Sequence, residues 1–157
     1  MRVIFTGPNT LPSVSLVLVL TMPGPLGFPA VPAELKPITA FVQRADELKV
    51  SEPVVAYWCT YYAAQLGIAQ GAKGVAARAF LGELLGTLEN LKLNISANDP
   101  EAKEVIDHET ASAAYVEGFA LKVFGMADNE DRAGKATRWV CRIVWCLQGF
   151  QLLTGFA

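Results

Sequence analysis

Residues 75–95 read VAARAFLGELLGTLENLKLNI, and their apolar side chains recur every three or four positions. This spacing is typical of an amphipathic α-helix. At about 100° per residue, the large apolar side chains cover an arc of roughly 140°, wider than the stripe of about 100° that a core-facing helix needs. The arc holds Phe80, Leu91, Leu84, Ile95, Leu88, Leu81 and Leu85. Leu81 and Leu85 lie at one edge and exceed what a small bundle requires.

The same period predicts four further helices. The predicted set is 33–49, 53 to about 68, 75 to about 93, 98 to about 127, and a fifth that follows Asp131 and runs nearly to residue 157. Pro37 should make the start of the first helix irregular, because proline lacks a backbone N–H. No alternating strand pattern competes, and short polar links favour antiparallel neighbours. The predicted fold class is therefore all-α, an antiparallel helical bundle.

Composition narrows the function classes. The 157 residues are 52% apolar and 18% charged with a net charge of −2, so no overall positive field draws the chain to nucleic acid. Three cysteines and one histidine suit neither a disulfide framework nor a metal site with about four ligands. No phosphate-binding glycine loop, nucleophile elbow or HExxH motif is present. We therefore expect no enzyme activity, no metal and no cofactor.

The first thirty residues differ from the rest. Residues 1–30 are rich in proline and contain no acidic side chain. Their apolar run, Val14 to Leu20, is too short to span a bilayer. We expect a disordered or extended segment before the helical bundle.

The second helix also carries surplus apolar side chains. Val55, Trp58, Tyr62 and Leu66 form one stripe, while Tyr57, Tyr61 and Ile68 lie on a separate flank. Spare flanks on two neighbouring helices can frame a groove for a partner's amphipathic helix. The candidate partner-binding residues are Tyr57, Tyr61, Leu81, Leu85 and Leu88. Alternatively, these flanks pack against the fourth and fifth helices, and periodicity leaves both interpretations open.

An acidic segment at residues 127–134 reads ADNEDRAG and holds three carboxylates in four positions. It lacks the alternating oxygen ligands and central glycine of a calcium loop. Consecutive carboxylates also do not supply the two separate environments that acid–base catalysis needs. We interpret Asp128, Asp131 and Arg132 as a structural helix cap, with acidic side chains favouring the N-terminus of the fifth helix.

Four segments resemble the N-terminal domain of the Vta-one / LYST-interacting-protein-five family. They are EPVVAYWC at 52–59, FLGELL at 80–85, LENL at 88–91 and the acidic segment ADNEDRAG at 127–134. The resemblance covers about residues 31–138 and fades after Arg138. It implies a tandem pair of MIT (microtubule-interacting and transport) three-helix units. The first would be 31–97, and the second 98–157, divergent after 138 and incomplete.

The resemblance also implies a function. The family binds C-terminal helices of ESCRT-III subunits in multivesicular-body formation, as a cytoplasmic cofactor recruited to endosomes through its partners. A separate C-terminal domain stimulates the vacuolar-sorting AAA ATPase, and we expect this chain to stop before that domain. An uncovered apolar face on residues 139–153 would then favour self-association. The alternative is a structural or oligomerising helical bundle without a peptide groove.

Overall fold

The computed structural model describes Gly27, residues 30–71 and residues 73–134 of the chain. A short 3-10 helix, Ala33–Ile38, precedes five α-helices. They are α1 (Thr39–Leu48), α2 (Pro53–Ala69), α3 (Val75–Asn98), α4 (Pro100–Asp107) and α5 (Glu109–Arg132). These ranges contain no strand, so the all-α prediction is confirmed. The predicted extension at 1–30 lies outside the described residues except for Gly27 and Ala30.

The start of the first helix is irregular, as proline chemistry predicts. Pro37 lies inside the 3-10 helix, and Leu35 leaves the helical region with φ −105° and ψ 16°. The missing N–H of Pro37 interrupts the α-helical hydrogen-bond ladder, and the chain tightens into 3-10 geometry before Thr39. Leu35 and Ile38 are nevertheless fully buried, so the irregular turn is anchored in the core.

The second helix is the central element of the bundle. Pro53 occupies its first turn, and Glu52 is its N-cap residue without a side-chain cap hydrogen bond. Four consecutive residues, Val54 to Tyr57, are all buried. Consecutive residues on a helix point to different sides, so α2 must be covered from several directions. This explains why its apolar residues encircle it.

Three apolar clusters hold the helices together. Cluster 1 joins the 3-10 helix, α1, α2 and α3 through Leu35, Ile38, Phe41, Val42, Ala63, Ala64, Ala77, Phe80 and Leu84. Cluster 2 joins α1, α2 and α5 through Ala45, Leu48, Val55, Ala56, Cys59, Val116 and Val123. Cluster 3 joins α2, α3 and α4 through Val54, Tyr57, Ile95, Ala102 and Ile106. Clusters 2 and 3 each contain residues from both sides of residue 97. The boundary expected between units 31–97 and 98–157 is therefore not a gap in the packing.

The predicted fourth helix is two helices. The expected continuous run from 98 to about 127 breaks at His108, whose backbone is extended with φ −115° and ψ 114°. The Ser112 hydroxyl donates to the Val105 carbonyl across the break. The physical reason is tertiary: Ile106 packs in cluster 3 and Val116 in cluster 2, and the bend lets each helix reach its own cluster.

Helix ends agree in part with the sequence signals. Asp99 caps α4 by accepting hydrogen bonds from the amides of Glu101 and Ala102 at 3.0 Å each, and Pro100 occupies the first turn. The third helix continues to Asn98, beyond its predicted end near Leu93. It stops where Asp99 takes the extended conformation that its capping role requires.

The fifth described helix ends at the acidic segment. Asp128, Asp131 and Arg132 lie in the last turns of α5, and Gly134 follows with a left-handed φ of 67°. Glycine adopts this conformation without the Cβ penalty of other residues, which ends the helix. The predicted fifth helix after Asp131 falls on residues 135–157, outside the described residues.

Candidate functional site

The contact between Gly67 and Leu81 sets the register of α2 against α3. A Cβ atom at Gly67 would lie 2.6 Å from Cδ2 of Leu81, so the glycine allows a close approach of the two helices. Leu81 itself packs, partly buried, against cluster 1. The helices run antiparallel, so one turn further along α3 brings Leu85 to the level of Ala63 on α2, which lies between Tyr61 and Gln65 in the sequence.

An apolar edge remains open between α2 and α3. Leu85 is 41% exposed, Ile68 is 57% exposed and Tyr61 is half-buried. The Tyr61 hydroxyl accepts a hydrogen bond from Nε2 of Gln65 at 2.9 Å, which holds the ring along the helix. Of the five predicted groove residues, Leu85 is exposed, Tyr61, Leu81 and Leu88 are partly buried, and Tyr57 is buried.

The other end of the predicted groove lies beneath α4. Tyr57 is only 8% exposed and belongs to cluster 3 together with Ala102 and Ile106 of α4. Leu88 packs, partly buried, against the same cluster. Leu81, Leu85 and Tyr61 therefore belong to an open end, whereas Tyr57 and Leu88 belong to a covered end. The structure does not bring all five into one exposed surface.

An ion pair closes the covered end. Nζ of Lys92 on α3 lies 3.0 Å from Oδ1 of Asp107, the last residue of α4. This hydrogen bond raises the pKa of Lys92 and lowers the pKa of Asp107. Sequence reasoning missed this pair because the α4–α5 break, which brings Asp107 to Lys92, was itself not predicted.

Aromatic rings run along α2 between the two ends. The rings of Tyr57 and Tyr61 are stacked with centroids 6.5 Å apart and 18° between planes. Trp58 meets each of them edge to face with centroids 5.3 Å apart. Burial raises the pKa of the Tyr57 hydroxyl, so this phenol stays neutral at physiological pH. The cluster offers contact area rather than an acid or base.

The fifth helix covers the opposite side of α2. Val116 and Val123 lie buried in cluster 2, and Phe119 and Ala120 pack against it. Its outer face carries a separate pair of exposed apolar side chains three positions apart, Leu121 and Phe124. This face lies on another helix from the open end of the groove and forms a second candidate contact surface.

The acidic segment forms a local ion pair. Nη2 of Arg132 lies 2.8 Å from Oδ2 of Asp128, one turn earlier on α5. Both side chains are well exposed, so the pair contributes little to stability. Whether these residues cap a helix beyond Gly134 remains a prediction. In the described part of the chain, no three His, Cys, Asp or Glu side chains are grouped for a metal ion.

The described part of the chain is an all-helical module with exposed apolar side chains on both α2 and α3. Across residues 30–71 and 73–134, no helix has both the length and the apolar character needed to cross a membrane. The sequence model of the Vta1-like family matches residues 37–157. The chain therefore belongs to the Vta1-like family. The match continues past Arg138, where the sequence pattern led us to end the resemblance.

Three relatives illustrate the membership. The human vacuolar protein sorting-associated protein VTA1 homolog is 41% identical over 107 residues, which are 68% of this chain and 33% of the relative. The fission yeast vacuolar protein sorting-associated protein vts1 is 38% identical over 107 residues, 67% of this chain and 26% of the relative. The Arabidopsis thaliana protein homolog of mammalian LYST-interacting protein 5 is 36% identical over 119 residues, 74% of this chain and 26% of the relative. The chain spans about a third or less of these relatives.

Proposed function

We propose that this chain is a non-catalytic adaptor in endosomal protein sorting. In this proposal it binds an amphipathic C-terminal helix of an ESCRT-III subunit at the open end of the groove between α2 and α3. The observation that carries it is the exposure of Leu85 on α3 together with the exposure of Ile68 and the partial exposure of Tyr61 on the neighbouring helix α2. Family membership and the sorting names of its relatives support the pathway.

The chemistry suits a helix ligand. An amphipathic helix presents apolar side chains one turn apart, and Leu85, Tyr61 and Ile68 form an apolar edge on two helices that such a stripe can cover. Leucine, isoleucine and tyrosine side chains contribute contact area, while the tyrosine hydroxyl offers hydrogen bonds at the rim. The adaptor would act in the cytoplasm and reach endosomes through these partners.

The test is binding of synthetic ESCRT-III C-terminal helix peptides, measured by fluorescence anisotropy. Leu85→Asp places a charge that the peptide must bury unpaired, and we expect affinity to fall more than tenfold. Leu121→Asp is the matched control, because Leu121 is an exposed leucine on α5, away from the groove. Its affinity should equal that of the wild type. Equal binding by Leu85→Asp and wild type would refute this site.

A second candidate function is self-association through α5. Leu121 and Phe124 are 66% and 51% exposed, and an exposed apolar face favours contact with another apolar surface. Sedimentation velocity at rising concentration tests this alternative. It predicts a dimer that Leu121→Asp disrupts, whereas the adaptor proposal predicts that this substitution leaves peptide binding unchanged.

A further inference from the structure

The covered end of the groove contains α4 where a longer partner helix would lie. Tyr57 and Leu88 belong to the same apolar flanks as Tyr61 and Leu85, yet Val105 and Ile106 of α4 pack in the cluster that holds them. From Tyr61 to Ile68 the open part of α2 measures only about 10 Å, roughly two helical turns. A partner helix of three or four turns would therefore be blocked by α4.

Three kinds of contact hold α4 in place besides its ends: the burial of Ala102 and Ile106, the partial packing of Val105, and the hydrogen bond from the buried Ser112 hydroxyl to the Val105 carbonyl. The helix has eight residues, and only Ala102 and Ile106 are buried. A helix this short has little stability of its own, so it depends on its packing and its ends. One end is capped by Asp99, and the other is held by the exposed pair of Lys92 and Asp107. Exposed pairs of this kind are weak and easily replaced.

We propose that α4 is a displaceable lid on the groove and that the Lys92–Asp107 pair is its latch. This inference rests on the proposed function, since it describes how the same groove admits its ligand. A long amphipathic helix removes α4 from the covered end, packs on Tyr57 and Leu88, and offers its own carboxylate to Lys92. A partner helix that reaches this end therefore carries an acidic side chain next to its apolar stripe.

The first measurement is hydrogen–deuterium exchange of the wild-type chain with and without a saturating ESCRT-III C-terminal helix peptide. If α4 is a lid, peptide binding should change amide exchange in opposite directions in α4 and in the open end of the groove. Amides of α4, residues 100–107, should exchange faster when the peptide binds, while those around Tyr61 and Leu85 should exchange more slowly. Protection of α4 by the peptide would overturn the proposal, because the peptide would then add to α4 rather than replace it.

The second measurement uses charge reversal at the latch. Asp107→Lys sets two cations against each other, so α4 should exchange faster without peptide and affinity should rise roughly two- to fivefold. The double variant Lys92→Glu with Asp107→Lys restores opposite charges and should return α4 exchange to the wild-type level. Asp46→Lys is the control, because it breaks the exposed Asp46–Lys49 pair on α1 away from the groove.

The outcomes separate the lid from the adaptor function. Faster α4 exchange in Asp107→Lys with unchanged affinity would overturn the lid and leave the groove intact. Binding by neither wild type nor Asp107→Lys would overturn the adaptor proposal itself. Circular dichroism should show that Asp107→Lys keeps its helical content, since the change lies at the exposed C-terminus of α4.

Discussion

The hydroxyl of Tyr115 donates a hydrogen bond to Oε2 of Glu52 at 2.9 Å and joins residues 63 positions apart. Glu52 is the N-cap residue of α2, and Nζ of Lys122 lies 3.8 Å from its other carboxylate oxygen. One carboxylate at the start of α2 therefore contacts two residues of α5 that lie about two helical turns apart. This polar contact sits beside cluster 2 and fixes how α5 lies on α2.

Removing the Tyr115 hydroxyl should loosen this contact without disturbing the apolar packing. Tyr115→Phe keeps the ring and loses one hydrogen bond to a charged acceptor. We expect the free energy of unfolding to fall by about 0.5–1.5 kcal/mol, since the site is partly exposed. Urea denaturation measures the change. Tyr61→Phe is the control: its hydroxyl bonds only locally to Gln65, one turn away, and its loss should cost less.

The same hydrogen bond predicts a pH dependence in the alkaline range. Burial and the bond to Glu52 raise the pKa of Tyr115 to about 12, from 10.0 for an exposed tyrosine. Below pH 10 the phenol is protonated in both states, and its stabilising contribution is complete. Between pH 10 and 12 the unfolded state loses its proton first, so stability falls as pH rises. Thermal melts should show a shallower decline for Tyr115→Phe than for the wild type across this interval.

A second long-range contact caps α3. Oε2 of Glu34 accepts a hydrogen bond from the backbone N–H of Gly74, the N-cap residue of α3, at 3.1 Å. A negative charge at a helix N-terminus is favourable. Glu34→Ala should therefore lower stability by about 0.5–1 kcal/mol. A Cβ atom at Gly74 would lie 3.0 Å from Cδ of Glu34, so Gly74→Ala should displace the carboxylate.

A double-mutant cycle checks this cap. If Gly74→Ala acts by displacing Glu34, the double variant should lose less stability than the sum of the two single variants. Additive losses would mean that Gly74→Ala does not act through Glu34. Glu83→Ala, on the exposed face of α3, is the control for loss of a glutamate. Glu47→Ala is unsuitable as a control because Glu47 pairs with the buried Arg44.

Local signals predicted part of this fold. Pro53 and the Asp99–Pro100 pair mark helix starts through their own backbone chemistry, so their neighbours suffice to place them. The break at His108 has no proline or glycine, and it follows from where Ile106 and Val116 pack. Likewise, periodicity identified Leu85 as surplus, but only the position of α4 shows that Tyr57 is covered.

The acidic segment offers a test of charge at a helix end. Asp131 lies in the last turn of α5, where a negative charge opposes the helix dipole. If Asp131 acts only through the dipole of α5, Asp131→Ala should raise the free energy of unfolding by about 0.3–1 kcal/mol. Asp128→Asn, which keeps a similar helix propensity, should instead lower it by about 0.2–0.5 kcal/mol, because the pair with Arg132 is lost. A loss of about 0.5–2 kcal/mol in Asp131→Ala would support the predicted cap of a following helix.

Gly67 tests how tightly α2 and α3 approach each other. In Gly67→Ala the new methyl would lie 2.6 Å from Cδ2 of Leu81, 3.6 Å from Cδ2 of Leu35 and 3.7 Å from Cδ1 of Ile38. Overpacking a core costs about 1–3 kcal/mol. Replacing a helical glycine by alanine returns about 1 kcal/mol through helix propensity. We therefore expect Gly67→Ala to lower the free energy of unfolding by up to about 2 kcal/mol, which urea denaturation measures.

Two further variants isolate the contact. Leu81→Val removes the Cδ2 methyl that the new alanine would crowd. Leu81→Val should therefore lower the free energy of unfolding less in the Gly67→Ala background than in the wild type. Gly82→Ala is the control for propensity, because nothing lies within 4 Å of its Cβ position on α3. That variant should gain about 0.5–1 kcal/mol. Equal increases in the free energy of unfolding from Gly67→Ala and Gly82→Ala would show that α2 and α3 are not tightly packed at Gly67. The register inferred from the Gly67–Leu81 contact would then be wrong.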